Sequence, residues 1–180
     1  SVRKATTVDR LNATHKYFYN NIEYVADKEE LAKYNRTVLI LGDEIANGSY
    51  PVKGTSASGF HTTFTRLLHY GNYIPTFKDR SDYAGGLLDA RFPELNQYAL
   101  VIVMSSVSNG ATYITENCLT DLVTYRESGG GIIIITDHGP ILNTIEAAYG
   151  VHSGSFFNVA NKIATKFGAW FSGDYNRVPV

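Results

Sequence analysis

The sequence predicts an α/β domain built on a parallel sheet with helices on both faces, and three stretches carry that prediction. Thr37-Val38-Leu39-Ile40-Leu41-Gly42, Ala99-Leu100-Val101-Ile102-Val103-Met104 and Ile132-Ile133-Ile134-Ile135-Thr136 are apolar without alternation, as strands covered on both faces must be. The segments between them have helical spacing, and strand alternating with helix is the signature of parallel pairing through crossover connections. With 180 residues, 44% of them hydrophobic and 18% charged, the chain can bury one substantial core.

At the start, Leu11, His15, Phe18, Ile22 and Val25 recur at three- and four-residue steps. This spacing predicts a helix over about 9–34, with Thr6 or Thr7 as its cap. Residues 1–36 thus read as an N-terminal helical extension and 37–180 as the α/β domain. The strand at 37–42 ends at Asp43-Glu44 and gives way to a loop, 45–59, rich in Gly, Ser, Asn and Pro. A helix should begin near Ser58, with Phe60, Phe64, Leu67 and Leu68 on its apolar side, His61 in its first turn and Gly71 marking its end. A short strand at 72–77 follows, then a loop or irregular helix over 79–93.

After the strand at 99–104 ends at Ser105-Ser106, Thr112 or Thr115 caps a helix reaching Arg126. Gly129-Gly130-Gly131 then turns this helix into the isoleucine strand; the run lacks a phosphate-loop lysine and precedes its strand, so it is no dinucleotide fingerprint. Beyond Asp137-His138 a helix is expected at 141–149, ended by Gly150, and a further strand at 155–159.

A formal net charge of -1 leaves no basic field for nucleic acid, and no charge block reads as an interaction tail. No apolar run approaches a membrane span and no signal-peptide pattern is present, so a soluble domain without a membrane partner is expected. Cys118 is the single cysteine; no internal disulfide can form, and its place in a helix body reads as a packed small hydrophobe.

Asp43-Glu44 and Asp137-His138 both follow buried strands, and His61 opens the helix after the first of them. In open parallel sheets ligands bind outside the carboxyl ends of the strands, so these five residues are expected along one edge. Carboxylates and imidazoles together trade protons near neutrality and can hold a divalent metal. The spacing is not a zinc signature, however, and no metal ligand set is assigned. Ser105-Ser106 at the same edge could hold a nucleophile, but the Gly-x-Ser-x-Gly frame of a nucleophile elbow is absent and hydroxyls closing a strand are ordinary; Ser105 is a candidate substrate contact. The plain alternatives are a turn-capping Asp43, a solvated Glu44 and a helix-capping His61.

With these residues in view, the chain resembles the class I glutamine amidotransferase-like superfamily, in particular its branches without a catalytic cysteine. The similarity runs over about 37–159: a first strand ending in Asp43-Glu44, a helix opening at His61, the stretch from Gly129 to His138, and Ala147-Ala148-Tyr149-Gly150. The resemblance implies a flavodoxin-like, doubly wound sheet. In the amidotransferases proper a cysteine at a sharp strand-to-helix elbow works with a histidine and a glutamate. Here the elbow carries Thr136-Asp137-His138 and Cys118 lies elsewhere, so glutamine hydrolysis by that triad is not expected. Ile40-Leu41-Gly42-Asp43-Glu44 is also similar to the first block of lipase-like hydrolases that use Gly-Asp-Ser, with Glu44 in place of the serine.

The resulting expectation is a hydrolase-like or small-ligand-binding domain. His138 or His61 would activate water, Asp137 would orient the imidazole, Glu44 would bind substrate or a divalent metal, and Asp43 and Ser105 would contact a small-molecule or glycan ligand. The alternative is a non-catalytic binding or structural module of a larger assembly, such as a phage particle. The missing amidotransferase nucleophile, the Tyr- and Asn-rich composition and the N-terminal extension point that way.

Overall fold

A computed structural model of the chain describes residues 2–4, 16–19, 22–26, 36–46, 50–53, 59–107, 112–137 and 155–171. At the described residues of the N-terminal segment, strands stand where a helix is expected. β1 (Val2–Lys4), β2 (Lys16–Tyr19) and β3 (Ile22–Ala26) form an antiparallel sheet in the order β1-β3-β2. Of the residues that suggested a helix, Phe18, Ile22 and Val25 sit in the β2–β3 ladder, where Tyr17 faces Tyr24, Phe18 faces Glu23 and Tyr19 faces Ile22, while Leu11 and His15 lie outside the described residues. Aromatic and β-branched side chains favour a pleated surface, and here pairing with a neighbouring strand overrides the helical spacing.

Four further strands build one all-parallel sheet: β4 (Thr37–Gly42), β5 (Ile74–Asp79), β6 (Leu100–Ser105) and β7 (Gly131–Thr136), in the order β5-β4-β6-β7. The three apolar stretches read from the sequence are therefore parallel neighbours, and the short strand expected between the first and second of them pairs with β4 on the other side. This is flavodoxin-like winding. The chain runs outward from β4 to β5, then returns past β4 to β6 and β7, so the winding reverses between β4 and β6.

Helices cover both faces: α1 (Gly59–Tyr70), α2 (Phe92–Leu95), α3 (Glu116–Glu127) and α4 (Asn158–Ala164). One core cluster joins Leu39, Leu41, Val101 and Val103 to Cys118, Leu119, Leu122 and Tyr125 of α3 and to Val159 and Ile163 of α4. The other joins Val38, Ile40, Ile102 and Met104 to Val52 and to Leu68 of α1. Alternate strand residues thus enter opposite cores, which is why the strands are apolar at every position. No helix among the described residues is long and apolar enough to cross a membrane.

The helix ends follow local chemistry. Thr115 caps α3, its Oγ1 accepting the Cys118 N–H at 3.0 Å. At the end of α1 the left-handed residue is Asn72 (φ 58°) rather than Gly71. Asn72 and Tyr73 N–H groups donate to the His69 and Leu68 carbonyls, a Schellman closure with asparagine in place of glycine.

Three expectations shift, and the stretch expected as loop or irregular helix takes a definite form. Leu67, placed on the apolar side of α1, is 62% exposed, and Thr65 is buried instead. The 79–93 stretch consists of two 3-10 turns, Arg80–Asp82 and Ala84–Gly86, and the start of α2. The strand expected at 155–159 is a 3-10 turn leading into α4, because Val159, Ala160, Ile163 and Ala164 share a helical face buried against the sheet. Finally, Ile133 is 45% exposed, since β7 stands at an edge of the described sheet. The helix expected at 141–149 lies outside the described residues.

Candidate active site at the carboxyl edge

All four parallel strands end in acids or hydroxyls at one edge: Asp79 on β5, Asp43-Glu44 after β4, Ser105-Ser106 on β6, and Thr136-Asp137 on β7. Parallel register places them side by side, with Gly42 opposite both Asp79 and Met104, and Ser105 opposite Thr136. Pairing continues one step further, with Asp43 N–H donating to the Met104 carbonyl at 3.1 Å and Asp137 N–H to the Ser105 carbonyl at 3.3 Å.

Asp43 is 1% exposed. Its Oδ1 accepts the Ser106 N–H at 2.9 Å and lies 3.5 Å from Ser106 Oγ. This bond bridges β4 and β6, the strands between which the winding reverses. Burial pushes the Asp43 carboxyl up to about 6, with the neighbouring Glu44 charge acting in the same direction; hydrogen bonds from Ser106, Val107 and Ser105 offset part of the rise.

Glu44 Oε2 accepts from Ser106 Oγ at 3.3 Å and from the Tyr50 N–H at 2.5 Å. Tyr50 belongs to a short strap, 50–53, fixed at several points. Val52 packs on Gly42, where a Cβ would lie 2.9 Å from both valine methyls, and only glycine allows so close an approach. The Lys53 ammonium bonds Asp82 at 2.5 Å and faces Asp79 Oδ2 at 3.7 Å. Asp79 Oδ1 in turn accepts from Ser81 N–H and Oγ, so this acidic pair anchors the strap and caps the turn after β5.

A cavity of about 180 Å³ opens between these ends, lined by Tyr50, Met104, Ser105, Ser106, Ile135, Thr136 and Asp137. Ser105 lines it, but its hydroxyl donates to the Phe156 carbonyl at 2.9 Å and accepts the Ala160 N–H at 3.2 Å. Thr136 Oγ1 donates to the same carbonyl at 2.8 Å. These two hydroxyls lock the entry of α4 onto the sheet, and Ser106 is the hydroxyl turned to Glu44.

Of the residues singled out in the sequence, Asp43, Glu44, Ser105 and Asp137 come together at this edge. His61 lies in the first turn of α1, with its side chain outside the described atoms, and His138 lies outside the described residues. Among the described residues no group of three His, Cys, Asp or Glu side chains could hold a metal ion. Cys118 is fully buried beneath the sheet, and burial pushes its thiol up to about 12, which fits packing and not nucleophilic attack. Sequence reasoning missed Ser106 as the bridging residue and Tyr50 as the prop of Glu44. The paired hydroxyls ending β6 signalled the first; nothing local signalled the second.

Comparison with protein-family models, with curated proteins and with solved structures finds no match for this chain. The chemistry of the site therefore rests on its own geometry.

Proposed function

We propose that the chain is a hydrolase-like, small-ligand α/β domain whose site is the crevice between the carboxyl ends of β4 and β6. The observation that carries this reading is Asp43, a carboxyl with 1% exposure at the switch point of the sheet. An asparagine could accept the Ser106 N–H equally well and would have no charge to desolvate. A carboxyl in this place works against the fold once it ionises, and groups of that kind mark sites of proton exchange. With a midpoint of about 6, Asp43 gains and loses its proton near neutrality, as general acid–base work requires. Glu44 and Asp137 add acceptors. His61 and His138 would supply imidazoles from the helix after β4 and the loop after β7, one of them activating water.

The test is a panel of small esters, amides and glycosides, run on wild-type protein and on Asp43→Asn, Asp137→Asn and His138→Ala, with melting curves alongside. Turnover of at least one class, lost in variants that stay folded, is the expected result. A panel with neither turnover nor any ligand-induced rise in melting temperature overturns the reading.

A second reading, the binding or structural module of a larger assembly, draws on a different observation. A groove of about 630 Å³ lies between α3 and β7, lined by Val123, Arg126, Glu127, Ile132, Ile134, Lys166 and Phe167, and Trp170 nearby in sequence is 73% exposed. Apolar surface of this kind is where partners dock. Alanine at Ile132 and Phe167 that abolished assembly while sparing turnover would support this second role.

A further inference from the structure

We infer that Ser106 is the nucleophile of this site and Glu44 its base, acting on small uncharged esters. The inference rests on the hydrolase reading above, puts Ser106 Oγ in place of histidine-activated water as the attacking atom, and names the substrate class. Ser106 is the first residue beyond β6, it lines the cavity, and it stands across the switch point from β4. Its Oγ has Glu44 Oε2 at 3.3 Å and Asp43 Oδ1 at 3.5 Å. The other two aliphatic hydroxyls of the cavity wall, on Ser105 and Thr136, are bound to the Phe156 carbonyl. Of the three, Ser106 is the one with the Glu44 carboxylate at hydrogen-bond distance, able to take its proton.

The arrangement has the three parts that covalent catalysis needs: a nucleophile, a base within reach, and groups that orient both. Asp43 fixes the nucleophile by holding the Ser106 main chain. The Tyr50 N–H fixes the base by binding the Glu44 oxygen that faces Ser106. A separation of 3.3 Å is ordinary for such a pair before substrate closes on it.

The chemistry balances without redox partners. Ser106 Oγ bonds to the ester carbonyl carbon while its proton passes to Glu44. The carbon–alkoxy bond breaks, and the Glu44 proton leaves with the alcohol. Water then gives a proton to Glu44 and bonds to the acyl carbon, the acyl–Oγ bond breaks, and Oγ recovers the proton as the free acid departs. Cavity shape and charge set the substrate class. About 180 Å³ equals the bulk volume of about six waters, room for a short acyl group against Met104, Ile135 and Tyr50. The charged residue among the described lining is Asp137, with Asp43 and Glu44 close behind, so carboxylate or phosphate groups on a substrate would be repelled.

Diisopropyl fluorophosphate and 4-nitrophenyl acetate test this on the full chain. The expected result is a single phosphoryl adduct on Ser106 by peptide mass analysis, absent from Ser106→Ala and formed at least tenfold more slowly in Glu44→Gln. 4-Nitrophenyl acetate should give a burst equal to the protein concentration. The site of the wild-type adduct decides the matter even if a variant fails to fold. No adduct, an adduct elsewhere, or an unchanged rate in folded Glu44→Gln overturns the inference. Ester turnover that persists in Ser106→Ala would also overturn it, while leaving the hydrolase reading intact with water as the attacking group. Wild-type protein that is neither labelled nor active on any substrate class defeats both.

Discussion

The ring of Tyr125 occupies the space that a side chain at Gly130 would need: a Cβ there would lie 2.2 Å from Tyr125 Cζ. The Gly130 N–H donates to the Tyr125 carbonyl at 3.0 Å, and the tyrosine hydroxyl donates to the Tyr98 carbonyl at 3.0 Å. The turn that delivers α3 into β7 is thus folded flat over a buried aromatic ring. Gly129 beside it has a φ of 101°, a conformation L side chains rarely adopt.

Gly130→Ala should therefore destabilise the domain by about 1–3 kcal/mol, the range of core overpacking, and Gly129→Ala by a similar amount through backbone strain. Urea unfolding of the two variants checks this. An unchanged midpoint for Gly130→Ala would mean that the ring moves aside freely.

Ile40 is fully buried on β4, whereas Ile133 on β7 is half-exposed. Ile40→Asp should abolish folding, because an unpaired buried charge costs several kcal/mol, on the order of the whole stability of a domain. Ile133→Asp should cost no more than about 1 kcal/mol. Circular dichroism of the pair separates the two cases, and equal loss in both would contradict the edge position of β7.

Cys118→Ala should lower stability by about 1 kcal/mol, as small core truncations do, and leave any turnover unchanged. The native thiol should react with a disulfide reagent only as fast as the domain unfolds. Rapid modification of the folded protein would show that the thiol is accessible after all.

Much of this fold is legible because burial on two faces leaves its own mark. Val38 to Leu41 and Val101 to Met104 have no polar position to interrupt them, and Thr115 sits where a helix must start. The N-terminal hairpin was not legible: Phe18, Ile22 and Val25 satisfy a helical spacing and a strand ladder equally, and only the partner strand decides between them. The site divides in the same way. Asp43, Glu44 and Asp137 could be placed at the carboxyl edge from strand ends alone. Ser106 could not be told from Ser105, since the distinction depends on β4 lying beside β6 and on α4 returning to bind the Ser105 hydroxyl.

Asp43 also links the site to stability. Its folded midpoint of about 6 lies above the 3.8 of an unburied aspartate. Between these pH values the unfolded chain has released the proton while the folded chain still holds it, so stability falls as pH rises. The contribution is complete below pH 3.8, is lost through about 6, and amounts to about 3 kcal/mol. Asp43→Asn keeps an oxygen for the Ser106 N–H and has nothing to ionise. The variant should match wild type near pH 4, exceed it by up to about 3 kcal/mol at pH 7.5, and lose turnover. Urea unfolding of both proteins between pH 4 and 7.5 makes the comparison, and because both share every other carboxyl, their difference isolates Asp43. Parallel curves across that range would show that Asp43 ionises without cost to the fold, and the reading of it as a carboxyl held for chemistry would lose its support.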